Sequence, residues 1–104
     1  MERGEVWWAK LPDPIKTRPV LLLSRTKAIE IREYVTIAEV TSTIRDIPSE
    51  VVLGVEDGLP KKCVVNLDVI NTIPKRMLFN RITRLKDAKF KEVEKALKFA
   101  LSID

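Results

Sequence analysis

The side chains able to do chemistry in this 104-residue chain are mainly those of arginine, lysine, threonine and serine. Arg18 stands between a turn and an apolar segment, and Thr41-Ser42-Thr43 ends another apolar segment, with Arg45 just beyond. An arginine presents a planar fork that matches two phosphate oxygens, and a hydroxyl donates one directed hydrogen bond. These residue types suit phosphate binding, although an arginine before a strand is usually a surface charge and a Thr-Ser-Thr run usually forms a turn.

The absence of histidine and the presence of one cysteine exclude several classes of enzyme. No Ser-His-Asp triad, Cys-His pair or structural zinc site can be built from this set, and the scattered carboxylates show no metal-ligand spacing. We expect no metal and no cofactor. Three glycines and no G-x-x-x-x-G-K sequence exclude a P-loop. Cys63 fits a small buried hydrophobe better than a reactive thiol, and a lone cysteine fits a reducing cytoplasm. No apolar run is longer than that at 20–23, which is too short to span a membrane.

The net charge of +4 is unevenly distributed along the chain. Residues 1–60 carry a net charge of −2, and residues 61–104 carry +6. The segment 74–86 contains five basic residues and no acidic one. A basic strip attracts phosphate backbones or an acidic partner, but it is also typical of a solvated surface.

Short strands followed by one helix must position these side chains in a single domain, 1–104. The predicted strands are 5–11, 18–24, 34–40, 49–54, 63–67 and 69–74, with a polar loop at 41–48. The run 20–23 does not alternate, which predicts a strand covered on both faces. Trp7 and Trp8 are adjacent and should point to opposite faces, one into the core. From Asp87 onward, apolar residues recur at helical spacing, which predicts an amphipathic helix that caps the sheet.

An ordered set of motifs gives the chain its resemblance to a known family. They are Arg3–Ala9, Arg18–Ser24, Val40–Thr43, Ser49–Val51, Gly58–Pro60, Val64–Asp68 and Thr72–Lys75. In this order, and before an amphipathic helix, they resemble the MazF/PemK/Kid toxins of bacterial toxin–antitoxin pairs. The resemblance covers nearly the whole chain.

The resemblance implies a mainly β fold, a small SH3-like, CcdB-type β-barrel with a C-terminal helix, that works as a cytoplasmic homodimer. It implies a sequence-specific, metal-independent endoribonuclease (an mRNA interferase) that cuts single-stranded RNA and leaves a 2′,3′-cyclic phosphate and a 5′-hydroxyl. Arg18 and Thr41 fall on the family's catalytic arginine and threonine. An acidic antitoxin that folds on binding is the implied protein partner. The expected RNA-contacting residues are Lys16, Thr17, Ser42, Thr43, Arg45, Asn66 and Asp68.

One departure and two alternatives accompany this resemblance. The segment 12–17 is short and lacks glycine, whereas many relatives have a longer Gly- and Glu-rich loop there that covers the RNA site. Because fold alone does not determine function, a CcdB-like protein that binds DNA gyrase without cutting remains an alternative. A barrel that only binds RNA or an antitoxin is the other.

Overall fold

The computed structural model describes all 104 residues and shows one curled antiparallel sheet of six strands. The strands are β1 (Glu5–Lys10), β2 (Thr17–Leu22), β3 (Tyr34–Thr41), β4 (Glu50–Leu53), β5 (Cys63–Pro74) and β6 (Leu78–Arg84). Their order across the sheet is β4-β5-β3-β2-β1-β6. Two helices, α1 (Thr26–Ile31) and α2 (Asp87–Ala100), and two short 3₁₀ turns complete the fold. This mainly β architecture with a C-terminal helix confirms the predicted fold class.

Two apolar clusters cover the two faces of the sheet, and β2 contributes to both. Val20 and Leu22 belong to one cluster, and Leu21 and Leu23 belong to the other. All four side chains are buried, which confirms that this strand is covered on both faces. Helix α2 buries Val93 in the cluster that contains Leu21, and it packs against β4 and β5 as predicted.

Three parts of the chain differ from the sequence-based assignment. Segments 63–67 and 69–74 form one strand, β5, because its pairing with β3 continues past an irregularity that leaves Leu67–Val69 without partners in β3. Segment 78–84 is strand β6, which pairs with β1. Helix α1 follows β2, and its Ile29 is buried beneath the sheet. Neither helix is long and apolar enough to span a bilayer.

The basic strip 74–86 is divided among several environments, so it is not one continuous cationic surface. Lys75 donates a hydrogen bond to the carbonyl of Ile29. The Arg81 guanidinium lies 3.2 Å from a carboxylate oxygen of Glu5, and Arg84 pairs with Glu2 at 3.4 Å. Intramolecular partners therefore engage three of the five basic side chains.

Candidate active site

A depression of about 210 Å³ lies where β2 begins and β3 ends. Its wall includes the predicted catalytic residues Arg18 and Thr41 together with Thr17 and Ser42. The remaining lining residues are Trp8, Pro19, Val40, Leu59, Pro60, Lys61 and Cys63. Arg18 and Lys61 give the depression positive charge, and no carboxylate is among its lining residues. An anion such as phosphate is the ligand that these charges favour.

The strand register explains why Arg18 and Thr41 meet. Val20 of β2 pairs with Glu39 of β3 in an antiparallel arrangement. Extending that register by two residues aligns Arg18 with Thr41. Because side chains alternate between the faces of a sheet, Arg18, Glu39 and Thr41 share one face.

Glu39 is the closest charged partner of Arg18. A guanidinium nitrogen of Arg18 donates to a carboxylate oxygen of Glu39 at 2.8 Å. The two residues are diagonal neighbours across β2 and β3, a separation that long side chains can span. The Glu39 side chain is only 12% exposed and the Arg18 side chain 34%. Sequence reasoning missed Glu39, although a carboxylate in the otherwise apolar run 37–40 was a visible signal.

A local irregularity in β5 lies next to this pair. Ala38 pairs with Ile70, but the next residue, Glu39, pairs with Asn66. The extra residues of β5 form a bulge, and bulges commonly re-aim side chains beside functional sites. Glu39 therefore lies opposite the buried Asn66, whereas an uninterrupted register would have placed Val69 opposite it.

The Thr41 hydroxyl oxygen accepts a hydrogen bond from the backbone N–H of Thr43 at 3.2 Å. A hydroxyl has one hydrogen to donate and two lone pairs that accept. The contact with Thr43 occupies a lone pair, so the hydroxyl hydrogen is free to point at a ligand in the depression. This arrangement suits Thr41 as a hydrogen-bond donor.

Trp8 joins the depression to a second one beside β6. The second depression shares Trp8, Leu59 and Pro60 with the first and adds Gly58, Asn80, Arg81 and Ile82, with no carboxylate in its lining. Trp7 pairs with Val20 and packs against the apolar cluster that contains Val20, on the face that carries Arg18 and Glu39, whereas the adjacent Trp8 points to the other face. Both are half-buried, so neither is a fully buried core residue.

The structure places the other predicted RNA-contacting residues outside the lining of the depression. Lys16 is exposed in the β1–β2 turn, and its φ of 62° is left-handed. Thr43 and Arg45 are exposed beyond β3. Asn66 is buried and its side-chain oxygen accepts the Asp68 N–H at 3.0 Å. Asp68 accepts a hydrogen bond from the Ser49 hydroxyl.

Cys63 is buried at the edge of the depression, in agreement with the predicted small core residue. Burial raises the pKa of its thiol, and the negative charge of Asp57 raises it further, while Lys61 acts in the opposite direction. A thiol in such surroundings stays protonated near neutral pH and is a poor nucleophile. The fold also brings together no group of three or more His, Cys, Asp or Glu side chains that could hold a metal ion.

The protein is thus a small, mainly β protein, with a curled six-stranded sheet and a C-terminal helix. Its Arg18 and Thr41 line a positively charged depression where two central strands meet. The family model for the PemK-like, MazF-like toxin of type II toxin–antitoxin systems matches residues 2–101. The chain therefore belongs to this family.

Several proteins similar to this chain are mycobacterial. A protein of Mycobacterium tuberculosis described as probable endoribonuclease MazF5 is 40% identical over 100 residues, which cover 95% of this chain and 91% of the relative. The structure of toxin MazF-mt6 from the same organism matches with a TM-score of 0.89 at 31% identity, over 96% of this chain and 98% of that one. An endoribonuclease from a mycobacterial species, solved in complex with its cognate antitoxin, matches with a TM-score of 0.89 at 27% identity, over 100% of this chain and 97% of that one.

Proposed function

We propose that this protein is the toxin of a toxin–antitoxin pair, an endoribonuclease that cuts single-stranded RNA with Arg18 and Thr41 as its catalytic residues. The observation that carries the proposal is the convergence of these two side chains on one carboxylate-free depression. The relatives' description as endoribonucleases supports the same activity.

The chemistry uses the nucleophile that RNA itself carries. The 2′-oxygen attacks the neighbouring phosphorus and forms a new O–P bond, while the bond from phosphorus to the 5′-oxygen breaks. The 2′-hydroxyl loses its proton and the departing 5′-oxygen gains one, so the products are a 2′,3′-cyclic phosphate and a 5′-hydroxyl. The enzyme's part is to align this attack and to stabilise charge on the five-coordinate phosphorus.

Arg18 and Thr41 supply that stabilisation. The Arg18 guanidinium has five N–H donors, of which one nitrogen contacts Glu39, so further donors remain for the non-bridging phosphate oxygens. The Thr41 hydroxyl donates a hydrogen bond to the same oxygens. We assign Arg18 an electrostatic role, because a guanidinium keeps its proton at any physiological pH.

The RNA chain follows the two joined depressions on either side of Trp8. Bases of single-stranded RNA stack on aromatic side chains, and each stacked base contributes about 1–3 kcal/mol to binding. Trp8 lies between the Arg18 depression and the Asn80–Arg81 depression, where a stacked base bridges the two. Thr17, Ser42 and Lys61 line the scissile-phosphate side.

The test is digestion of a long single-stranded RNA in EDTA by the wild type, Arg18→Ala and Thr41→Ala. Two matched controls lie outside the depression: Arg25→Ala removes an exposed arginine, and Thr72→Ala removes an exposed threonine. We expect both site variants to lose cleavage while both controls and the wild type cut alike. Wild-type cleavage by either site variant would refute the site, and inhibition of gyrase supercoiling without RNA cleavage would support the alternative function.

We also propose a homodimer and an acidic antitoxin as partners. The chain carries net positive charge in residues 61–104, and a structural relative of this chain is an endoribonuclease bound to its cognate antitoxin. An acidic segment that covers Arg18, Lys61 and Arg81 would block the RNA path. Its affinity should then fall steeply as salt rises from low to physiological concentration. A salt-insensitive affinity would contradict this docking mode, and sedimentation of the free protein as a monomer would contradict the dimer.

A further inference from the structure

We infer that Glu39 is a positioning residue, which holds the Arg18 guanidinium in the orientation that a scissile phosphate requires. The inference rests on the proposed function, and it assigns a role to a residue outside the proposed catalytic pair. Arg18 lines the depression but Glu39 does not, so the carboxylate contacts the guanidinium without forming part of the wall.

The surroundings of Glu39 show that stability alone does not explain a carboxylate at this position. Val35 and Ile37 precede it at alternate positions of β3, on the same face, and both are 1% exposed in the apolar cluster beneath. An apolar side chain would continue that pattern. A buried ion pair commonly stabilises a fold no better than well-packed apolar residues do. Departures from an apolar pattern are expected where function requires them.

The Glu39 carboxylate has one hydrogen-bond partner, the Arg18 guanidinium. It accepts from Arg18 at 2.8 Å, and no other side chain or backbone group donates to it. A free arginine side chain loses rotamer freedom when it is fixed, which opposes binding. A partner that fixes the guanidinium before RNA arrives removes that opposition, which is the general advantage of a preorganised donor.

Positioning and competition make opposite predictions about catalysis. If Glu39 positions Arg18, its removal lowers kcat and leaves KM nearly unchanged. If the carboxylate instead competes with phosphate for the guanidinium, its removal lowers KM or raises kcat. A purely structural role changes the unfolding temperature without either kinetic pattern.

The experiment measures single-site cleavage of a short RNA by the wild type, Glu39→Ala and Glu39→Gln. Glu39→Ala should lower kcat about tenfold, the equivalent of one hydrogen bond to a charged group that is partly open to water. Glu39→Gln should lose only about twofold to threefold, because the amide oxygen still accepts the Arg18 N–H. The control is Glu94→Gln, since Glu94 lies 3.9 Å from Arg3 and lines a different depression.

A second readout follows the guanidinium directly. The side-chain N–H signals of Arg18 in ¹⁵N-arginine spectra should broaden and exchange faster with water in Glu39→Ala, and should stay close to the wild type in Glu39→Gln. Unchanged kcat and unchanged Arg18 signals in Glu39→Ala would overturn the inference, as would a lowered KM. If the wild type cuts RNA and Arg18→Ala does not, such a result would leave the proposed function intact.

Discussion

Replacement of Thr41 by valine removes one hydroxyl and keeps the shape of the side chain. In the structure the hydroxyl accepts the N–H of Thr43 and has its hydrogen free for phosphate. Loss of one preorganised donor to developing charge costs about 10²–10³ in kcat. Thr41 is half-buried and its depression is open to water, so the lower end, about 10²-fold or 2.7 kcal/mol, is the expected loss.

The assay is single-turnover cleavage of a short RNA by the wild type, Thr41→Val and Thr41→Ser. Serine restores the donor, so Thr41→Ser should retain most of the wild-type rate, with KM similar in all three. The free energy of unfolding should change by less than about 0.5 kcal/mol, because the lost contact with Thr43 is exposed and water replaces it. A wild-type rate in Thr41→Val would refute the donor role of this hydroxyl.

Three further predictions test other parts of the structure. Arg18→Lys keeps the charge but not the planar fork, and cleavage assays should show a loss of about tenfold to a hundredfold; an unchanged rate would argue against phosphate clamping. Gly58→Ala should lower the free energy of unfolding by about 2–4 kcal/mol, because φ at Gly58 is 95° and an added Cβ would lie 2.7 Å from the Cβ of Thr83. Equal midpoints of urea unfolding for the variant and the wild type would contradict this. Native Cys63 should react with iodoacetamide only above the pH at which an ordinary thiol reacts, because burial raises the pKa of its thiol. The free energy of unfolding should therefore fall as the pH rises from the pKa of an ordinary thiol through the raised pKa of Cys63. Fast labelling near neutral pH would contradict the burial.

The sequence was most informative where residue patterns act locally. The unbroken apolar run at 20–23 predicted a strand buried on both faces, and Val20 and Leu21 do lie in different clusters. The helical spacing after Asp87 predicted the helix that covers the sheet. These features depend on the alternation of side chains within one element, so a single segment contains the whole signal.

Features that depend on contacts between distant segments were missed or misread. The basic strip 74–86 contains β6, in which Arg81 and Arg84 form ion pairs with Glu5 and Glu2 near the N-terminus. Composition alone does not show such pairing. The continuity of β5 depends on its pairing with β3 across an irregular register. The role of Glu39 depends on the alignment of β2 with β3, because its partner, Arg18, lies 21 positions earlier in the chain.

The end groups left on a defined single-stranded RNA, cut in EDTA by the wild type and by Arg18→Ala, test the central claim most directly. We expect the wild type to cut at a short recurring sequence, with a 2′,3′-cyclic phosphate on one fragment and a 5′-hydroxyl on the next. We expect Arg18→Ala, with an unfolding temperature equal to that of the wild type, to produce no such ends. A 5′-phosphate on the fragments, a requirement for added metal, or the same ends from Arg18→Ala would contradict the claim.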